Sequence, residues 1–257
     1  MTPVSAVYGP VSSWRFGQSL GIDLIGAVST CSFNCRYCQL GTIEQITAER
    51  RHFVPTLKIR AELEQTLWAD VDVVTLSGSG EPTLALNLGE VIQVIQTVTS
   101  LPVVVLTNGT LLGDRAVQQD LSTAAKVAIK LDAVSSEYWR TLNRPVAGLS
   151  LEALLEGIIA FRQRYAGHLA IQTMVMEPWS KSEERRYVAL LEAIQPDEVQ
   201  LNTPLRSRPI DHQIEARSNT PDPAWRHPQH VTLETLAVMG ARLQAALTIP
   251  VRYPLSH

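Results

Sequence analysis

Residues 29–41 read STCSFNCRYCQLG and hold Cys31, Cys35 and Cys38, which are all the cysteines of the 257-residue chain. Three thiols leave one unpaired in any disulfide scheme, and cysteines this close bridge only with strained geometry. A shared metal centre is the better reading. Structural zinc takes four ligands in a closed site, and iron–sulfur clusters ordinarily take four cysteines. Three thiolates on a four-iron cube leave one iron open, and an open metal position is how a metal site accepts a substrate. The rival is zinc held by three cysteines and a histidine, for which His52 is the nearest candidate.

The rest of the composition sets the frame. Hydrophobic residues make up 45% and charged residues 18%, which suits a folded chain and excludes a disordered one. A net charge of -3 supplies no global attraction for nucleic acid. The N-terminal residues lack a basic region followed by an apolar core, and runs such as LPVVVL (101–106) are too short to span a bilayer. No membrane association is expected. Clustered thiols without an export signal point to the reducing cytoplasm.

Working outward from the cysteines, β-branched apolar runs alternate with amphipathic segments. Strands are expected at GIDLIG (21–26), VDVVTLS (71–77), LPVVVLT (101–107), KVAIKLD (126–132), LAIQTMVM (169–176) and EVQLNTP (198–204). Helices are expected over 57–69, 86–99, 114–123, 150–165 and 181–194. Repeated strand and helix implies parallel strands joined by right-handed crossovers, and six such units suit an incomplete α/β barrel. One domain over 1–257 is expected, with a core at about 18–205, a proline-rich loop at 206–230 and a last helix at 231–247.

Strand alternation adds a test of the barrel. Val127, Ile129 and Leu131 share one face, with Lys130 and Asp132 on the other. Gln172, Met174 and Met176 likewise oppose Ile171, Thr173 and Val175, and Gln200 and Asn202 oppose Val199 and Leu201. The apolar face should meet the helices, leaving a partly polar interior of the kind a cofactor and substrate can enter.

The spacing Cys31-x3-Cys35-x2-Cys38, with Tyr37 immediately before the third cysteine, resembles that of the radical S-adenosylmethionine (radical SAM) superfamily. The resemblance implies a partial parallel (β/α)6 TIM-like barrel in which the three cysteines ligate a 4Fe-4S cluster and S-adenosylmethionine occupies the fourth iron. One electron then cleaves the sulfonium and yields a 5'-deoxyadenosyl radical that abstracts hydrogen. It implies an external one-electron donor of flavodoxin or ferredoxin type, and places Tyr37 against the adenine. SGSGEPTL (77–84) follows the second expected strand, where glycines let the backbone approach a ligand. By resemblance, Gly78, Gly80 and Glu81 bind the methionyl amino group. Asn108 in LTNG (106–109) joins the cofactor residues, Lys130 is a partner for the cofactor carboxylate, and Asp132 or Asn202 lies near the ribose.

The stretches 7–24, 106–109 and 201–206 look like the wyosine-synthase-like branch of the superfamily, whose namesakes build a tricyclic base on tRNA. Those enzymes carry extra cysteines for a second cluster, and this chain has none to offer. A small-molecule or protein substrate is therefore expected ahead of tRNA. Arg140, Arg144, Arg206 and Arg208 flank strand ends and are candidates, with Gln172, for holding it through a carboxylate or phosphate. A glycyl-radical activase and a non-catalytic metal-binding module remain alternatives.

Overall fold

A computed structural model of the chain describes residues 4–67, 70–218 and 222–254. The apolar runs form a sheet of eight strands in the order β1 (Val7–Ser13), β2 (Gly17–Ile22), β5 (Val73–Leu76), β6 (Val103–Thr107), β7 (Lys126–Lys130), β8 (His168–Met174), β9 (Glu198–Asn202) and β10 (Val251–Arg252). Only the β1–β2 pair is antiparallel; every other neighbouring pair is parallel. The short strands β3 (Thr30–Cys31) and β4 (Gln45–Ile46) pair with each other within the cysteine segment. The helices are α1 (Thr56–Glu64), α2 (Leu88–Thr99), α3 (Arg115–Leu121), α4 (Ser136–Leu142), α5 (Leu151–Arg162), α6 (Lys181–Ile194) and α7 (Leu233–Ala246). Strands β2 and β5 to β9 are the six units of a partial TIM-like barrel, extended at its edges by β1 and β10. Among the described residues, no helix is long and apolar enough to cross a membrane.

The alternation of each strand decides what lies inside. Val127, Ile129, Ile171, Val199 and Leu201 join the main apolar core together with helix residues such as Leu154, Ile158, Leu191 and Leu236. The inward face has only a small apolar cluster, Phe16, Val104, Ala128 and Ala170. Val73 and Leu106 pack against that cluster and Met174 lines the cavity beside it, but polar residues such as Thr75, Lys130, Gln172 and Asn202 share the face. At the N-terminal end of the strands, buried Glu198 is met by Lys126 at 2.8 Å, His168 at 3.1 Å and Arg252 at 3.3 Å. This matches the half-polar interior that the alternation implies.

Differences from the expected elements have local causes. The first strand runs over Gly17–Ile22 rather than 21–26, because the Asp23 carboxylate accepts the N–H groups of Ile25 and Gly26 and turns the chain. The helix expected over 57–69 ends at Glu64, and residues 68 and 69 lie outside the described residues. The segment 206–230 is described except for 219–221, and it is stitched to the cysteine segment. Thr42 N–H donates to Ile210 O at 3.0 Å, and Gln213 N–H to Leu40 O at 3.2 Å. A turn of 3-10 helix, Ile214–Arg217, buries Ala216 there. The sequence IPVRYP adds a strand, β10, beside β9.

Candidate active site

All parallel strands end on one side, and the cysteine segment is fixed across those ends. Thr30 N–H donates to Ser79 O at 3.0 Å and Glu81 N–H donates to Thr30 O at 3.1 Å, so β3 lies directly on the turn after β5. This approach requires a glycine: a Cβ on Gly80 would stand 1.7 Å from Thr30 O. On the other side, Asn34 N–H donates to Asn143 O at 3.0 Å, and Arg36 N–H to Leu142 O at 2.9 Å. Phe33 packs edge-on against Trp139 of α4, ring centroids 5.6 Å apart.

Held in this way, Cys31, Cys35 and Cys38 line one cavity of about 400 Å³ together with Tyr37, Gly80, Glu81, Asn108, Lys130, Gln172, Asn202 and Arg206. A second cavity of about 310 Å³ adjoins it and shares Cys31, Cys38, Gly80 and Arg206 with it; Gly78 lines this one. Arg208 instead faces a smaller cleft with Arg36 and Arg226. Arg140, in the last turn of α4, and Arg144, just after it, are exposed and line none of these cavities. His52 is exposed as well.

The carboxylates at the cavity are occupied by the protein itself. Glu81 is buried, and its oxygens accept from Thr83 N at 3.0 Å, Thr83 Oγ1 at 2.7 Å, Thr107 Oγ1 at 2.7 Å and Asn108 N at 2.7 Å. Burial outweighs those hydrogen bonds and raises its pKa. Glu81 thus braces the end of β5 against the end of β6. Asp132, buried behind Tyr37, accepts from the Tyr37 hydroxyl, from Asn143 Nδ2 at 2.8 Å and from Met174 N at 2.7 Å, and pairs with Lys130 at 2.9 Å. Lys130 also lies over the Tyr37 ring, 5.2 Å from its centroid. Burial, then the Asp132 charge, pushes the Tyr37 hydroxyl pKa well up.

The donor set fits an iron–sulfur cluster. The three cysteines face one cavity. Phe33 N and Asn108 Nδ2 lie 3.4 Å and 3.5 Å from Cys31 Sγ, and Asn143 Nδ2 lies 3.4 Å from Cys35 Sγ, the kind of N–H···S support that tunes a thiolate centre. Among the described residues no three His, Cys, Asp or Glu side chains converge as they would on a single metal ion. Burial pushes the Cys35 thiol up to about 12 and raises Cys31 and Cys38 too, so drawing off their protons takes a cationic centre.

Sequence reasoning missed Asn143, Arg15 and Arg217. Asn143 sits in a short segment without periodicity, and its position against Cys35 follows only from how α4 packs. Arg15 lies inside the quoted stretch 7–24, but the hairpin that turns it inward has no apolar alternation. Arg217 pairs with buried Asp23 at 2.7 Å across 194 residues of sequence.

The family model described as the Radical SAM superfamily matches residues 27–191. A UPF0026 protein of Synechocystis is 49% identical over 98% of this chain and 97% of its own. A UPF0026 protein of Methanocaldococcus jannaschii is 34% identical over 79% of this chain and 64% of its own. Among solved structures, Streptococcus suis SuiB bound to S-adenosylmethionine has the same fold, with a TM-score of 0.63 at 14% identity; the match covers 91% of this chain and half of SuiB.

Proposed function

The chain belongs to the radical SAM superfamily, whose members are enzymes that use a 4Fe-4S cluster and S-adenosylmethionine, and we propose that it is a single-cluster radical enzyme acting on a small-molecule or protein substrate. The observation that carries the proposal is the shared cavity: three cysteine thiols, the Gly80 turn and the inward strand residues face one space at the C-terminal ends of the barrel strands. When bound, the cluster and S-adenosylmethionine supply a reductively generated 5'-deoxyadenosyl radical that abstracts hydrogen.

Each remaining role belongs to the chain. Cys31, Cys35 and Cys38 hold the cluster. The Gly78 and Gly80 backbone, Asn108 and Asn202 bind the cofactor, and Tyr37, clamped by Asp132 and Asn143, provides a rigid wall for its base. Lys130 is drawn toward Asp132 and neutralises it, leaving its remaining N–H donors for the cofactor carboxylate. Glu81 acts through the turn it braces. Gln172, tied to Gln200 at 2.8 Å, and Arg206 face the substrate space. An external one-electron donor completes the set, one domain carries the whole arrangement, and three free thiols suit the reducing cytoplasm.

The likeness to the wyosine-synthase-like branch supports tRNA as a second substrate reading. Against it stand the missing cysteines for a second cluster and the exposed positions of Arg140 and Arg144 away from the cavities. The test of the cluster assignment is anaerobic reconstitution: wild-type protein should hold about four irons and four sulfides per chain, and Cys31→Ala, Cys35→Ala and Cys38→Ala should each abolish that loading. Colourless protein with stoichiometric zinc would overturn the assignment.

A further inference from the structure

The two cavities meet where the edges of the incomplete barrel face each other, and two guanidinium groups stand at that junction. Arg15 comes from the turn of the β1–β2 hairpin and Arg206 from the segment after β9, and both line both cavities alongside Cys31, Cys38 and Gln39. The Arg15 guanidinium lies 5.6 Å from the Trp14 ring centroid and 5.8 Å from that of Phe16. Its Nε is shut off from solvent and has no hydrogen-bond partner. Arg206 is exposed along its side chain, and among the described residues its guanidinium donates to Gln39 Oε1 at 3.4 Å.

The charge balance of the cavity is uneven. Among the described residues that line the two cavities, Glu81 is the only acid, and its oxygens are taken by Thr83, Thr107 and Asn108. The other cations are matched, Lys130 by Asp132 and Arg217 by Asp23. No carboxylate among the described residues forms an ion pair with Arg15 or Arg206. Burial lowers the Arg15 pKa to about 10, with the charge of Arg206 as a smaller cause in the same direction. A buried donor without an acceptor costs free energy that an incoming oxyanion would recover.

We propose that Arg15 and Arg206 form an oxyanion subsite that holds the carboxylate or phosphate of a small-molecule substrate beside the cysteine triad. The subsite rests on the radical-enzyme reading for its purpose but not for its chemistry, since two forked guanidiniums bind a bidentate oxyanion whether or not the cluster turns over. Arg15 comes from the hairpin at one edge of the sheet and Arg206 from the segment after β9, next to the other edge strand, so an anchored substrate would also tie the two sides of the barrel opening together.

The test is calorimetric titration of anaerobic, cluster-loaded protein with inorganic pyrophosphate and, separately, with succinate, in the presence of S-adenosylmethionine. At least one anion should bind saturably, and its affinity should fall about tenfold or more in Arg15→Gln and in Arg206→Gln. Iron content and S-adenosylmethionine affinity should stay at wild-type values. Arg15→Lys and Arg206→Lys, which keep the charge but lose the fork, should bind the anion with intermediate affinity and serve if a glutamine variant fails to load iron. Preference for pyrophosphate supports a phosphorylated substrate, and preference for succinate a carboxylic acid. Anion affinity unchanged in the variants would overturn the subsite. So would a parallel loss of S-adenosylmethionine affinity, which would assign the arginines to the cofactor carboxylate. Arginine-dependent tRNA binding without binding of either small anion would overturn the small-molecule reading. Protein that holds no iron but binds the anions through both arginines would sink the radical-enzyme reading and leave the subsite standing.

Discussion

Asn143 shows how much of the site depends on single side chains. Its Nδ2 donates to Asp132 Oδ2 at 2.8 Å and lies 3.4 Å from both Cys35 Sγ and the Tyr37 hydroxyl, while its backbone oxygen accepts from Asn34 N. Asn143→Ala removes the donor and leaves buried Asp132 one partner short, at a cost of about 1 to 3 kcal/mol in urea denaturation. Tyr37, moreover, should lose its fixed position in that variant. Unchanged stability would show that Asp132 is satisfied without it. At this scale the cysteines were legible because their spacing is itself the chemistry. Gly80 was legible as a turn glycine and, by resemblance, as a cofactor residue, but the packing reason for it, the carbonyl of Thr30, belongs to a segment fifty residues earlier. Asn143 and Arg15 had no signal, because a lone polar residue outside a periodic run can point anywhere.

Among the elements, the six parallel strands and their crossover helices could be read from hydrophobic runs, since a strand buried on one side by helices must be apolar on that face. The elements that escaped are those without such a face. Strand β1 contains Gly9 and Pro10 and has no fully buried position, which an edge strand permits because its outer side needs no ladder. Helix α4 is seven residues long, yet it seats the cysteine segment. Residues 5–7, which lead into β1, are held by Glu62 of α1. Its carboxylate accepts from Ser5 Oγ at 2.8 Å, Ala6 N at 2.7 Å and Val7 N at 3.1 Å, and from Lys58. Partial burial opposes ionisation of Glu62, but these hydrogen bonds outweigh it and hold the pKa below the ordinary 4.5. A carboxyl depressed in the folded state stabilises fully above its unfolded pKa, and that contribution is lost as pH falls through the folded value. The protection of the Ala6 and Val7 amides, relative to their intrinsic exchange rates, should therefore fall below about pH 4.5, while β6 and β7 remain protected, and Glu62→Gln should remove that pH dependence. Equal protection of Ala6 and Val7 on both sides of that pH would contradict the account.

At the scale of the whole molecule, the segment after β9 closes over the site. The 206–218 segment crosses the mouth, and Arg217 pins it: its Nη1 lies 2.7 Å from Asp23 Oδ2, and its guanidinium lies 4.7 Å from the Tyr8 ring centroid. Asp23 has further donors in Ser79 Oγ, Ile25 N and Gly26 N, so Arg217→Gln should cost about 2 to 3 kcal/mol rather than unfold the protein. Trypsin should then cut after Arg206 faster, and unchanged cleavage there would mean that the backbone bonds to Thr42 and Leu40 hold the segment alone. That closure was not legible in the sequence, where the segment is rich in proline and polar residues and its few apolar ones, Ile210, Ile214 and Ala216, follow no strand or helix period. The central claim, however, rests on the cavity that the closed segment covers. Its most direct test is to supply reduced, cluster-loaded protein with S-adenosylmethionine and to measure 5'-deoxyadenosine by mass spectrometry. The account predicts slow formation of 5'-deoxyadenosine and methionine that disappears in Cys31→Ala, Cys35→Ala and Cys38→Ala; S-adenosylhomocysteine without deoxyadenosine, or an intact cofactor bound to loaded protein, would contradict it.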